Sequence, residues 1–99
     1  MKLIVGKNDS GKTRELIKYS IDKNIPIFAL ETHKAESLRT KALSYFGEPV
    51  CVMTPDTLIT NGYNGEILVD DMEKAFELLL SDFLRTSNLT IAGATLNED

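Results

Sequence analysis

The sequence predicts an α/β protein: a three-layer α/β/α sandwich around a five-stranded parallel sheet. Five short apolar runs recur along the 99 residues, and stretches with helical periodicity separate them. The runs are apolar without strict alternation, as strands covered on both faces require. Strands joined through helical crossovers lie parallel, with the helices on the faces of the sheet.

The strand candidates, in order, are residues 2–5, 25–30, 50–54, 66–70 and 88–93. A helix is expected from about 12 to 23. Another is expected from about 33 to 46, with Ala35, Leu38, Ala42 and Phe46 on one face. A third, about 72 to 85, carries Met72, Ala75, Phe76, Leu79, Leu80 and Phe83 at helical spacing. Its side chains are apolar around much of the circumference, which suits a place between the sheet and a neighbour or at a subunit interface. Gly47-Glu48-Pro49 ends the second helix, and Asn61-Gly62-Tyr63-Asn64-Gly65 reads as a loop. Residues 54–60 read as a short helical turn.

This length predicts one domain, spanning residues 1–99. An apolar fraction of 42% and a charged fraction of 26% are those of an ordinary globular protein. The small size favours self-assembly as a source of stability. A net charge of −4 argues against indiscriminate nucleic-acid binding through a broad basic face. The single cysteine, Cys51, excludes an internal disulfide or a zinc cluster, and its apolar neighbours predict a buried thiol. No apolar run has the length of a membrane span, and the first five residues are too short for a signal peptide. A cytoplasmic protein with no membrane contact is expected.

Function is written most plainly in Gly6-Lys7-Asn8-Asp9-Ser10-Gly11-Lys12-Thr13, which fits G-x-x-x-x-G-K-[ST] without a mismatch between a predicted strand and a predicted helix. Gly6 and Gly11 allow backbone angles closed to residues with a Cβ, so the loop can curl around phosphates. Its backbone N–H groups then form an anion nest at the positive end of the helix dipole. Lys12 is expected at the β/γ phosphates and the Thr13 hydroxyl on Mg²⁺. The carboxylate of Asp9 has to point outward, because facing phosphate would be repulsive. Arg14, just past the loop, is the arginine best placed for nucleotide contact. ATP with Mg²⁺ is the expected ligand pair.

A second signal is Ile67-Leu68-Val69-Asp70-Asp71, an apolar strand ending in two carboxylates. Asp70 suits the orientation of the metal, usually through water. Asp71 either orients or deprotonates the attacking water, or caps the helix that begins near Met72.

With these motifs together, the chain resembles the P-loop NTPases that carry an extra strand between the phosphate-loop strand and the acidic strand. That group includes RecA-like ATPases, helicases and thymidine kinases. The second acid of the family is commonly a glutamate acting as base; Asp71 is one methylene shorter, which predicts slow hydrolysis. The order of short segments is similar to the first motor domain of superfamily 1 and 2 helicases. In that comparison Phe28–Ala35 matches a strand-end segment on the nucleic-acid backbone, and Val52–Leu58 a later T-x-x-x-L segment. Gly93-Ala94-Thr95 matches the motif that couples hydrolysis to movement, with Thr95 as sensor of the γ-phosphate. The second motor domain has no counterpart here, so strand separation by this chain alone is not expected. The weaker similarity to thymidine kinase, through Ser10–Thr13 and Ile91-Ala92-Gly93, lacks the zinc-binding lid. His33 is expected as a solvated residue at a helix start, and no Asn-Lys-x-Asp base reader appears. The resulting expectation is a minimal ATPase, slow alone and raised by a homo-oligomer, a partner protein or nucleic acid. The alternative is a nucleotide-dependent switch or scaffold with little turnover.

Overall fold

The computed structural model describes residues 2–6, 11–57, 65–70 and 89–97. Its elements are β1 (Lys2–Gly6), α1 (Lys12–Lys23), β2 (Ile27–Phe28), α2 (Thr32–Phe46), β3 (Val52–Met53), β4 (Gly65–Val69) and β5 (Leu89–Asn97). The strands form one sheet in the order β1-β5-β4-β2-β3, and every neighbouring pair is parallel. The α/β class and the parallel sheet thus follow the sequence expectation.

The two helices lie on one face of the sheet. Leu16 and Ile17 of α1 and Ala35, Leu38 and Ala42 of α2 share a single core with Ile27, Val52, Leu68 and Ala92. Phe28, Met53, Ile67 and Val69 alternate with these strand residues, stay outside that cluster, and are buried as well. Strands β2, β3 and β4 are therefore shielded from water on both sides, an arrangement compatible with three layers. Near-continuous apolar runs are the sequence signature of such two-sided burial.

Helix ends follow local chemistry. Asn24 closes α1 in the left-handed region at φ 57, its N–H donating to the Ser20 carbonyl. Gly47 does the same for α2 at φ 65, donating to Leu43, as a left-handed C-terminal cap favours. The expected apolar face of α2 is the buried one, with Phe46 partly covered at its end.

The strands depart from their expected lengths for visible reasons. β2 holds two residues rather than six. Pro26 at its start has no N–H to donate, although its carbonyl accepts from Leu68 N–H at 2.9 Å. β5 runs on to Asn97, past the glycine at which the predicted strand stopped. Its stretch from Leu89 to Ala94 pairs with β4 and its last five residues pair with β1. A register shift opposite Ile67 and Leu68 absorbs one extra residue of β5 beside Gly93, the sort of irregularity glycine tolerates within a strand. Cys51 is exposed, not buried. It precedes β3, which pairs only with β2 at the margin of the sheet, so its outward face meets solvent.

The predicted third helix (72–85) and most of the predicted 61–65 loop lie outside the described residues. Of the 54–60 segment, residues 55–57 are helical. Among the described residues no helix is long and apolar enough to cross a membrane.

Candidate functional site at the carboxyl edge of the sheet

Strand register brings the site together. Val69 of β4 pairs with Ala94 of β5, so the next residues on each strand, Asp70 and Thr95, are neighbours. The Thr95 hydroxyl donates to Asp70 Oδ1 at 2.6 Å, and Thr95 itself is only 1% exposed. On the other side, Val69 pairs with Phe28 of β2. The chain leaving β2 therefore enters α2 beside Asp70. Lys34, in the first turn of α2, places its ammonium 4.0 Å from Asp70 Oδ2, and the Asp70 side chain is 11% exposed. Both oxygens of a nearly buried carboxylate thus face a donor or a cation, as burial of such a charge demands.

The glycine-lysine-threonine segment is approached from β1. Ile4 pairs with Thr95 and Gly6 with Asn97, which puts the end of β1 next to the strand that carries Thr95. Gly11 is the cap residue of α1 at φ 85, and an added Cβ there would meet nothing within 4 Å. The constraint at Gly11 is therefore backbone conformation rather than space. Lys12 opens α1 and is buried to 9% exposure. Thr13 follows it and lines a cavity of about 200 Å³ together with His33, Lys34, Ser37, Leu38, Lys41 and Asp70.

Of the residues singled out in the sequence, Thr13 and Asp70 share this cavity, and Thr95 supports Asp70 from behind. Gly6 ends β1 and Gly11 caps α1. Lys7, Asn8, Asp9, Ser10 and Asp71 lie outside the described residues. Arg14 is exposed and does not line the cavity; its guanidinium carbon lies 5.4 Å from the Tyr45 ring centre and 5.7 Å from that of Phe46. His33 stands at the start of α2 with its side chain 77% exposed, Nδ1 3.1 Å from Glu31 Oε2. That is the solvated helix start its position suggested. Arg39 is held by Glu36 at 2.7 Å on the same helix.

Sequence reasoning overlooked Lys34, Ser37 and Lys41. They recur at helical spacing, one stripe around from the buried Ala35, Leu38 and Ala42. The stripe is readable once α2 is assumed, but its neighbours Thr13 and Asp70 depend on how α2 is rotated over the sheet.

Comparison with protein-family models, with curated proteins and with solved structures finds no match.

Among the described residues there is no group of three or more His, Cys, Asp or Glu side chains able to form a metal cage. The donor set of one carboxylate and one threonine hydroxyl is the kind Mg²⁺ uses when phosphates and water complete its shell. The residues present therefore fit a metal brought in with a phosphate ligand.

Proposed function

We propose that this chain is a minimal P-loop NTPase, with a three-layer fold on five strands, that binds ATP with Mg²⁺ and hydrolyses it slowly. The observation that carries the reading is the convergence of Thr13, Asp70 and Thr95 from α1, the end of β4 and β5 at one edge of the sheet. Two features support it. β5 lies between the loop strand β1 and the acidic strand β4, the arrangement of the family that the motifs resemble. The motif lysine, Lys12, opens a helix of 12 residues, where backbone N–H groups and the helix dipole favour an anion.

In this reading the loop amides and Lys12 hold the β and γ phosphates. Thr13 would offer a hydroxyl oxygen, and Asp70 a carboxylate oxygen directly or through water, to hold Mg²⁺, whose charge would be supplied at the phosphates. Thr95 fixes the rotamer of Asp70 by its short hydrogen bond; buried behind Asp70 and outside the cavity lining, it would sense the γ-phosphate through Asp70 rather than by contact. Asp71 orients the attacking water. Arg14, engaged with Tyr45 and Phe46, is a weaker candidate for nucleotide contact than its place in the sequence suggested. The reaction takes place in the cytoplasm, with a second copy, another protein or nucleic acid raising the rate.

The test is steady-state phosphate release with Mg²⁺-ATP by the wild type, Lys12→Ala and Asp71→Asn. Turnover that vanishes in Lys12→Ala and falls sharply in Asp71→Asn is expected. Nucleotide binding without turnover above the Asp71→Asn background would make the chain a switch or scaffold instead.

A further inference from the structure

The contact between Lys34 and Asp70 has no role in that mechanism. Asp70 is nearly buried, with Thr95 on one oxygen and the Lys34 ammonium 4.0 Å from the other. The oxygen facing Lys34 is thus the one left for a metal, so lysine and divalent cation compete for it. An ammonium and a divalent cation drawn to the same carboxylate oxygen repel each other, the more so where the surroundings screen them poorly. The lysine is the partner able to leave: its ammonium sits on a flexible four-carbon stem, and its side chain is 46% exposed.

We propose that Lys34 is an exchangeable counter-ion. It neutralises Asp70 in the nucleotide-free site, is displaced when Mg²⁺ arrives with a nucleoside triphosphate, and then pairs with the outermost phosphate. The cavity wall supports this destination. Ser37 and Lys41 follow Lys34 along one face of α2, and all three line the cavity that also contains Thr13 and Asp70. The released ammonium therefore stays within a pocket already lined by a second lysine and a hydroxyl, a set suited to phosphate oxygens. A diphosphate lacks the outermost group and leaves Lys34 no new partner. α2 thereby distinguishes triphosphate from diphosphate, and does so only when the metal is present. This inference rests on the nucleotide-site reading above and adds to it a residue that selects for the third phosphate.

The test is calorimetric titration of the full chain with a non-hydrolysable ATP analogue and with ADP, each with and without Mg²⁺. Wild type, Lys34→Met and Lys34→Arg are compared, with melting curves to verify folding. Lys34→Met is expected to weaken the triphosphate with Mg²⁺ by roughly ten- to a hundredfold, the size of a lost charge-assisted contact. Its ADP affinity should stay within about twofold of wild type without Mg²⁺ and should not fall with it, and Lys34→Arg should retain most of the preference because the charge remains. Titration with Mg²⁺ alone should show tighter binding to Lys34→Met than to wild type. Equal losses for both nucleotides, or no change for either, overturn the proposal while leaving the nucleotide site standing. Failure of the wild type to bind either nucleotide overturns the site reading and this proposal together.

Discussion

Thr95 and Asp70 form a short polar contact at the site, a 2.6 Å hydrogen bond between two side chains at the sheet edge. Replacing Thr95 by Val keeps the shape and removes the donor. A nearly buried carboxylate oxygen then loses a partner, which costs about 1–3 kcal/mol. Thr95→Val should therefore shift the urea midpoint downward at an unchanged slope. The same variant should weaken the Mg²⁺ dependence of nucleotide binding, because Asp70 is free to turn. A variant as stable as wild type with unaltered metal dependence would show that the hydroxyl does not orient Asp70. Gly11 poses a different problem. Its cap conformation at φ 85 leaves open space around the missing Cβ, so Gly11→Ala meets no clash and suffers only the left-handed backbone penalty. That penalty is roughly 1–2 kcal/mol, measurable as a lowered melting temperature.

Among the helices and strands, the position of α2 matters most. Its apolar stripe of Ala35, Leu38 and Ala42 belongs to the core in which α2 packs against α1 and β3, and this docking aims the adjacent Lys34-Ser37-Lys41 stripe at the cavity. Leu38 belongs to both, being a core residue and a cavity-lining one. Leu38→Ala should lose about 2–5 kcal/mol of stability, as buried leucine truncations do. It should also degrade nucleotide affinity more than a truncation of equal cost at Ile17, which is in the same core but does not line the cavity. Chemical denaturation paired with nucleotide titration checks this, and equal affinity losses at the two positions would separate α2 packing from the site. β5 has the complementary role. It pairs with β1 on one side and β4 on the other, so the loop strand and the acidic strand are held in register by a single intervening strand.

For the molecule as a whole, ligand and fold are linked by mass action. A ligand that binds only the folded state stabilises it by about 2.7 kcal/mol at a hundredfold excess over its dissociation constant. For a domain of this size, that corresponds to a melting temperature raised by ~10–20 °C. Mg²⁺-ATP should produce such a rise and should lose it in Lys12→Ala, as read by a thermal melt. Assembly is open to a parallel check. If a neighbouring subunit or nucleic acid completes the site, hydrolysis per chain should rise with protein concentration or on adding DNA or RNA. The nucleic-acid effect should fall steeply with salt, because backbone contacts act through counterion release.

Local pattern alone was enough to recover the two helices, the apolar strand runs, the parallel α/β class and the place of Asp70 at the end of a strand. Each of these is a property of neighbouring residues: a 3.6-residue period, an unbroken apolar run, or a carboxylate after a strand. Strand extent was less legible, because β2, β3 and β5 begin and end where a partner's hydrogen bonds do. Cys51 was misread for a related reason, since an apolar neighbourhood in the chain does not reveal that β3 lies at the sheet margin. The pairing of Asp70 with Thr95 and Lys34 lay beyond any local pattern. It depends on which strands are neighbours, on a one-residue register shift in β5, and on the rotation of α2 over the core. Those are relations between distant segments, set when apolar faces are buried together, and the chain's order carries no direct record of them.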